Sequence, residues 1–282
     1  MINVINYHIT DRCNCRCRYC FGKFGCDSLG LADAMRVTDA VCRLFAELGI
    51  KDGRISLAGG EPLCCPWADG LIGHIASLGM RVSLVTNGSL LEPGRIIGWA
   101  GKVSCVGLSI DSVCRETNLR IGRNSGGRTL SEEEALSLCE GIRGAGIRLK
   151  INTVVSRCNL GEADALRRFY LRAQPDRLKL FKMQLVRGVN ETAAGESISD
   201  EEFLFFTKGI RQVFPHAVAE GTGDMENSYP MIDPLGNLML NDGGEYRKYG
   251  NLLEEPAWAI MRRLPIDRDR FDSRYGKQRG SG

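Results

Sequence analysis

No stretch of the sequence approaches the roughly 20 consecutive apolar residues of a membrane-spanning helix. The chain also lacks the basic start and the apolar core of about 7–15 residues that mark a signal peptide, so secretion is not predicted. An excess of charge of one sign is missing as well, since 37 Lys and Arg residues stand against 34 Asp and Glu. This balance disfavours a nucleic acid or a membrane surface as the main partner but is compatible with a small anionic ligand.

Cysteine, by contrast, is abundant, with 12 residues in a chain of 282. Because no signal peptide is recognised, this number favours a reducing compartment, which we expect to be the cytoplasm. It also favours metal or redox chemistry over disulfides. The apolar share of 43% is ordinary for a globular chain that buries one large core or two small ones.

Apolar runs alternate with amphipathic stretches along most of the chain, which predicts repeated βα units and a parallel sheet. The predicted strands are residues 3–9, 54–58, 81–85, 103–110, 148–155 and 177–185. The predicted helices are residues 31–48, 67–78, 131–145, 161–173 and 199–214, and Ser131 to Glu134 form a capping-box start. Periodicity leaves two α/β architectures open, an open doubly wound sheet and a partial barrel.

The pattern changes after about residue 215. The segment "SYPMIDPLGNLML" predicts a hairpin with a turn at 234–237, followed by a short helix near 256–263 and a basic tail. We therefore divide the chain into residues 1–215 and a C-terminal extension, residues 216–282.

The stretch "YHITDRCNCRCRYCF", residues 7–21, follows the first predicted strand and carries the most specific signal. Cys13, Cys17 and Cys20 form C-x₃-C-x₂-C, and thiolates select iron–sulfur clusters or zinc. Three ligands would leave one iron of a cubane cluster open for another molecule. Two alternatives remain, namely a zinc knuckle with Cys15 or Cys26 as its fourth ligand and a set of unrelated structural thiols.

Polar motifs close the next three strands: GGEP at 59–62, TNG at 86–88 and SIDS at 109–112. The two glycines let the backbone approach a ligand, and the carboxylate of Glu61 can accept from an ammonium group. Together with the cysteine loop, these motifs resemble the radical S-adenosylmethionine (SAM) enzymes. In that superfamily the amino and carboxylate groups of SAM chelate the open iron of a [4Fe-4S] cluster, and reduction releases a 5′-deoxyadenosyl radical.

Within that superfamily, the chain most specifically resembles the viperin family. The segments of this sequence that carry the resemblance run from residue 6 to about 240 and are "NYHITDRCN", "RISLAGGEP", "TNGSL", "NLRIGR", "LKINTVVSRCN", "RLKLFKMQLVRGVN", "SISDEEF" and "NSYPMIDPLGNLML". Viperins have a partial (βα)₆ barrel of the TIM type, so this likeness implies such a barrel in residues 1–215 and an extension that closes over the substrate. They convert a nucleoside triphosphate, typically CTP, to its 3′-deoxy-3′,4′-didehydro analogue, an antiviral chain terminator.

The same resemblance implies roles for individual residues. The cluster ligands are Cys13, Cys17 and Cys20. The cofactor-binding residues are Phe21, Gly59, Gly60, Glu61, Asn87, Ser109, Asp111 and Arg123. The substrate-binding residues are Asn6, Arg54, Lys150, Asn152, Arg177, Lys179, Lys248 and Arg274, with Lys277 as a further basic residue of the tail. Asn6 matches a position at the base, and Tyr229 matches a tyrosine beside the substrate that we expect to be catalytic.

The pattern of charged residues on the predicted strands indicates an anionic substrate independently of the resemblance to viperins. Lys150 and Asn152 alternate with apolar neighbours in "RLKINTVV", as Arg177 and Lys179 do in "DRLKLF" and Arg54 does in "GRISLA". Strands of a parallel sheet are covered on both faces, so unpaired cations there are costly and call for an anion. The alternative is internal salt bridging, for which Glu61 and Asp111 are the nearby acids that the sequence suggests.

Departures from the family affect the expected partners. The membrane-anchoring helix of animal viperins is not seen before the first strand, which favours a soluble, prokaryotic type of enzyme. Ala58 replaces a serine near the base, which leaves the choice of base open. The amide of Asn6 suits cytosine or uracil, so we expect CTP as the favoured substrate and UTP next. We expect a monomer that uses an external electron donor and binds neither membranes nor nucleic acid.

Two rival functions remain. A radical enzyme acting on a peptide or on GTP typically carries a second cysteine cluster toward its C-terminus, whereas the last cysteine here is Cys158. A zinc or iron–sulfur scaffold without catalysis is the second rival, and it would leave the strand-end glycines unexplained.

Overall fold

The computed structural model describes residues 2–23, 25 and 27–275 of the chain. Its strands are β1 Val4–His8, β2 Arg54–Ala58, β3 Arg81–Thr86, β4 Val103–Ser109, β5 Arg148–Val155, β6 Arg177–Lys182, β7 Val218–Glu220, β8 Met231–Ile232, β9 Asn237–Asp242 and β10 Glu245–Asn251. Its helices are α1 Leu31–Glu47, α2 Ala68–Ser77, α3 Pro93–Gly98, α4 Arg115–Ile121, α5 Glu132–Gly144, α6 Ala163–Ala173, α7 Asp200–Arg211, α8 Ala257–Met261 and α9 Arg268–Tyr275.

The strands form one open sheet in the order β10-β9-β8-β1-β2-β3-β4-β5-β6-β7. Strands β1 to β7 are parallel neighbours in chain order, β8 joins the other side of β1 in parallel, and β9 and β10 continue antiparallel. Right-handed crossovers between consecutive neighbours put the connecting helices on one face of the sheet. This order fits a partial barrel rather than a doubly wound sheet, so the predicted fold is confirmed.

Alternation along each strand separates a core face from an inner face. On β2, Ile55 and Leu57 are fully buried in the main apolar cluster, which also contains α1 residues such as Val37 and Leu44. Each buried aliphatic side chain of this kind is worth about 1.5–3 kcal/mol. The core face therefore holds the helices against the sheet, and the intervening residues are left free to line a site.

Helix starts follow the sequence closely. The Ser131 hydroxyl accepts from the Glu134 amide at 3.2 Å, and the Glu134 carboxylate accepts from the Ser131 amide at 2.9 Å. This reciprocal pair satisfies two backbone donors that a helix start leaves free, and it confirms the predicted capping box. Ser199 and Glu202 form the same box before α7.

The structure adds elements that the periodicity did not predict. Helices α3 and α4 are short, and β7 has three residues, too few to show an alternating pattern. The predicted hairpin is present as β8 and β9, and the basic tail contains α9. In the part of the chain that the structure describes, no helix is long and apolar enough to cross a membrane.

Candidate active site

The inner face of the sheet encloses a cavity of about 270 Å³. Alternate residues of β1 and β2 line it, and Arg54, Lys150 and Asn152 face the same space. Arg177 and Lys179 on β6 do so as well, and each is in register with a lining residue of β5. The alternation proposed from sequence is confirmed for all five residues.

The cysteine loop forms another part of the same wall, since Cys13, Cys15, Cys17 and Cys20 all line the cavity. Backbone hydrogen bonds hold the loop from two sides. The Gly60 amide donates to the Thr10 carbonyl at 2.7 Å, and the Arg16 amide donates to the Gly122 carbonyl at 2.9 Å. The loop is therefore positioned by the ends of β2 and α4.

Glycine is required at both of these contacts. A Cβ atom on Gly60 would lie 2.3 Å from the Arg12 carbonyl oxygen, and one on Gly122 would lie 2.3 Å from the Arg16 carbonyl oxygen. The sequence analysis explained the Gly59–Gly60 pair by close approach to a ligand. The structure shows that the first close approach is to the cysteine loop itself, although both glycines also line the cavity.

The donor set fits an iron–sulfur cluster. A hydrogen bond from the Cys15 thiol lowers the pKa of Cys13 to about 6, and the buried Arg123 guanidinium adds to this effect. Burial raises the pKa of Cys17 to about 11 and also raises that of Cys20, so these two thiols would lose their protons on binding the metal. Among residues 2–23, 25 and 27–275, no three His, Cys, Asp or Glu side chains form a group that could hold a single metal ion. A cubane does not need such a group, because its cysteines bind different irons at different corners.

The choice of ligands among these cysteines stays a prediction. Cys15 faces the cavity with the three motif cysteines, and its sulfur lies 3.5 Å from the Asn87 side-chain nitrogen. Cys26, the other alternative ligand, lies outside the described residues.

The remaining predicted cofactor residues do not all face the cavity. Those that line it are Phe21, Gly59, Gly60, Asn87, Ser109, Asp111 and Arg123. The Asp111 carboxylate accepts from Arg123 Nε at 2.6 Å and from the Tyr19 hydroxyl at 2.6 Å, so Arg123 is already paired within the protein.

Glu61 differs from the expectation that its carboxylate receives an ammonium group. Its side chain is fully buried and is absent from the described lining of the cavity. It accepts from the Thr86 hydroxyl at 2.7 Å, from the Asn87 amide at 2.7 Å and from the Leu63 amide at 3.1 Å. Burial raises the pKa of Glu61 to about 7 in spite of these bonds. The carboxylate thus joins β2 to the end of β3.

We call Arg54, Lys150, Arg177, Lys179 and Arg274 the cation cluster, since all five line the cavity. Burial lowers the pKa of Lys150 to about 8, and repulsion from Arg177 and Arg54 contributes. Burial also lowers the pKa of Lys179, Arg54 and Arg177. Buried positive charge of this density is stabilised by a bound anion.

Glu220 is a charged residue that the sequence analysis missed. It ends β7, and its carboxylate forms ion pairs with Lys179 and, at 2.8 Å, with Arg274. Internal pairing, the alternative considered from sequence, therefore accounts for two members of the cation cluster, through an acid other than Glu61 or Asp111. The short length of β7 concealed its alternation.

Helix α9 brings the C-terminal part of the chain into the cavity. The Tyr275 hydroxyl accepts from the Asn6 side-chain amide at 2.9 Å, and the Arg274 carbonyl accepts from Arg177 at 2.8 Å. The Arg274 guanidinium lies 4.7 Å from the centre of the Tyr229 ring, and Tyr229 lines the same cavity. Asn6, Tyr229 and Arg274 are thus brought together from distant parts of the sequence.

Two predicted basic residues are not brought into this group. Lys248 on β10 is absent from the described lining and forms an ion pair with Asp233 at 3.0 Å. Lys277 lies outside the described residues. The structure adds His8 to the wall, with its ring centre 6.5 Å from that of Tyr229, and burial lowers the pKa of His8 to about 4.

Comparison with known proteins agrees with this geometry. The family model described as "Radical SAM superfamily" matches residues 7–168, from β1 to the middle of α6. The chain therefore belongs to the radical SAM superfamily, whose members use a [4Fe-4S] cluster and SAM. A solved structure described as native anSMEcpe with bound AdoMet and Cp18Cys peptide superposes with a TM-score of 0.72, covering 95% of this chain and 83% of the other at 14% identity. That likeness concerns the fold alone.

Relatives in sequence identify the family to which the chain belongs within this superfamily. A protein of Flammeovirga pacifica named S-adenosylmethionine-dependent nucleotide dehydratase is 33% identical, covering 98% of this chain and 95% of the relative. A protein of the same name from Lacinutrix mariniflava is 32% identical over 96% of this chain, which spans 57% of that longer relative. Within the superfamily, the chain belongs to the family of S-adenosylmethionine-dependent nucleotide dehydratases, the viperin family.

Proposed function

We propose that this protein is a radical SAM dehydratase that converts a nucleoside triphosphate to its 3′-deoxy-3′,4′-didehydro analogue, with CTP favoured and UTP next. One observation carries the proposal: the cysteine loop and the cation cluster line the same cavity. A site for a thiolate-bound cluster thus adjoins a site for a polyanion. Such a product would terminate chains made by viral polymerases.

Residues of the loop would hold the cofactors. Cys13, Cys17 and Cys20 would bind the cluster, and the lining residues near them would hold SAM. When bound and reduced, the two together supply a 5′-deoxyadenosyl radical. Arg123 would bind the cofactor with its remaining N–H groups, because Asp111 accepts only two of its hydrogen bonds and Arg123 lines the cavity.

The cation cluster would hold the phosphates and thereby fix the ribose. A primary alkyl radical removes whichever hydrogen lies nearest, so positioning selects the bond. Lys150 and Arg177 lie on neighbouring strands in register, which gives two fixed points for the phosphates. The ribose C4′ hydrogen would then be the one removed, and the 3′-hydroxyl would leave as water with uptake of one electron and one proton.

Asn6 and Tyr229 would contact the rest of the nucleotide. The Asn6 amide offers both a donor and an acceptor, which suits the polar edge of cytosine or uracil. Tyr229 would be the catalytic residue that supplies the proton; burial raises the pKa of its hydroxyl, which keeps the group protonated before the reaction. Residues 216–282 would act as an extension that closes over the substrate, which is supported by the contacts of Arg274 and Tyr275.

Several further properties stay proposals. The electron would come from an external donor, and the protein would act as a monomer. A cytoplasmic location suits thiolate chemistry, which needs a reducing compartment. Lys248 would have to leave Asp233 before it could contact a substrate.

Isotope transfer tests the proposed function. The reconstituted protein would be reduced with SAM and CTP deuterated at C4′, and both products would be examined by mass spectrometry. We expect 5′-deoxyadenosine that carries one deuterium and a nucleotide lighter than the substrate by water. Unlabelled 5′-deoxyadenosine with deuterium retained wholly in the nucleotide would rule the reaction out.

A further inference from the structure

The carboxylates around the cation cluster are paired with cations or amides of the protein, although Oε2 of Glu220 meets Arg274 only as an ion pair and has no hydrogen-bond partner among the described residues. Glu220, the acid nearest to the cluster, has 4% of its surface exposed and lies behind Lys179 and Arg274. One of its oxygens pairs with Lys179 and the other with Arg274. Burial by itself would raise the pKa of Glu220, but these two cations outweigh burial and lower it.

Two acids line the cavity itself, and both accept hydrogen bonds from the protein. Within the described residues these are Asp111 and Asp176. Asp111 accepts from Arg123, Tyr19 and the Val154 amide, and Asp176 accepts from the Leu149 amide at 2.7 Å. Asp176 is moreover exposed at the start of β6, away from the end of that strand where ligands of such sheets are held.

The hydrogen bonds and ion pairs of these carboxylates affect whether a nucleotide binds with or without a metal ion. In many nucleotide-binding proteins the triphosphate arrives with Mg²⁺, which prefers one or two protein carboxylates in addition to phosphate oxygens. Here Asp111 and Glu220 could reach Mg²⁺ only after giving up ion pairs with the protein, and Asp176 lies at the start of β6, away from the strand ends that hold ligands. The cation cluster instead offers donors that have no hydrogen-bond acceptor in the described part of the chain, including Nε of Arg54 and Nε of Arg177.

The balance of charge in the cavity also favours binding of the triphosphate without Mg²⁺. The five cations of the cluster stand against the single charge of Glu220. The other cations of the described lining are balanced, since Arg123 pairs with Asp111, Lys182 pairs with Asp200, and Arg148 has its counterpart in Asp176. An excess of four formal positive charges remains. A free nucleoside triphosphate carries about four negative charges near neutral pH, because the last phosphate proton has a pKa of about 6. Bound Mg²⁺ would cancel two of these charges and bring a divalent cation against the cluster, at a high cost in a site of low dielectric.

We propose that the cavity binds the nucleoside triphosphate as its metal-free anion, so that Mg²⁺ opposes binding by withdrawing the free nucleotide. This inference rests on the proposed function only in taking a nucleoside triphosphate as the ligand. The cation cluster then performs the neutralising role that Mg²⁺ has at other triphosphate sites.

Calorimetric titration of the holoprotein with CTP tests the inference, with SAM present and no reductant. One series contains EDTA, a second contains increasing Mg²⁺ at constant ionic strength, and a third uses the exchange-inert Cr(III) complex of CTP. We expect the apparent dissociation constant to rise with the fraction of CTP bound to Mg²⁺, and the Cr(III) complex to bind at least tenfold more weakly than free CTP. An unchanged or tighter affinity in Mg²⁺ would overturn the inference.

Two variants complete the test. Glu220→Gln should keep the preference for free CTP, because Glu220 is not a metal ligand, and the exposed Glu254→Gln serves as the matched control. Binding that is supported by Mg²⁺ and lost in Glu220→Gln would identify Glu220 as a ligand of the metal and refute the inference. Absence of CTP binding in both EDTA and Mg²⁺ would refute the nucleotide as ligand, which is the failure of the proposed function and is distinct from a preference for the metal complex.

Discussion

Replacement of Lys150 by Met gives the most direct measure of the cation cluster. Lys150 lies on the inner face of β5, and no hydrogen bond to its ammonium group is present among the described residues. A charge-assisted hydrogen bond is worth about 1.5–3 kcal/mol, so Lys150→Met should weaken CTP binding by about tenfold to a hundredfold. Methionine keeps most of the side-chain volume, and removal of a buried charge should not unfold the protein.

The pH dependence of binding provides a second, independent readout. Burial lowers the pKa of Lys150 to about 8 in the ligand-free protein, whereas a phosphate beside it favours the ammonium form and raises that pKa. Binding therefore takes up a proton, and the contribution of Lys150 is full below pH 8 and is lost as the pH rises. Each pH unit above about 8 should cost this group about tenfold in affinity. Burial also lowers the pKa of Lys179, so part of the decline should persist in Lys150→Met.

Calorimetric titration with CTP between pH 7 and 9 measures both effects, and SAM binding should be unchanged. Lys102→Met is the matched control, because Lys102 is exposed in the turn before β4. The role given to Lys150 is wrong if Lys150→Met binds CTP as tightly as the parent protein does. It is equally wrong if the parent protein binds CTP with the same affinity at pH 7 and pH 9.

Three further predictions concern the loop and the base. Alanine at Cys13, Cys17 or Cys20 should abolish the absorbance of the cluster, whereas Cys15→Ala should leave it; loss of iron in Cys15→Ala alone would show that another set of cysteines binds the cluster. Gly60→Ala should lower the melting temperature and the iron content, since its Cβ would meet the Arg12 carbonyl at 2.3 Å and overpacking costs about 1–3 kcal/mol. Gly73→Ala has open space in α2 and serves as its control, so equal melting temperatures would contradict this account of Gly60. In competition among four nucleoside triphosphates, CTP should be consumed fastest, and faster consumption of GTP or ATP would contradict a pyrimidine site.

Local patterns in the sequence were sufficient for the main helices and strands and for the inward direction of the polar strand residues. The six parallel strands, the capping box at Ser131 and the inward direction of Lys150 and Arg177 follow from residue periodicity, because alternation along a strand is set by the backbone itself. The spacing of the cysteines also predicted a loop that presents several thiols to one space. The strand-end motifs predicted where that space lies.

The partners of these groups could not be predicted in the same way. Glu61 reads as a ligand-binding carboxylate in sequence, yet it is fully buried and binds the end of β3. Glu220 sits on a three-residue strand, and nothing in its neighbourhood indicates that it pairs with Lys179. Tyr275 reaches Asn6 across 269 positions of the chain.

The sequence by itself thus determined which residues point inward and which chemistry the thiols and cations favour, since both depend on residue type and on the backbone period. Only the tertiary structure decided how the charges are distributed among partners. Two ionic groups come into contact because separate elements pack against one sheet. The interaction energy of such an ion pair depends on how deeply the contact is buried, which no local sequence pattern indicates. For this reason the free and the engaged members of the cation cluster look alike in sequence and differ in the fold.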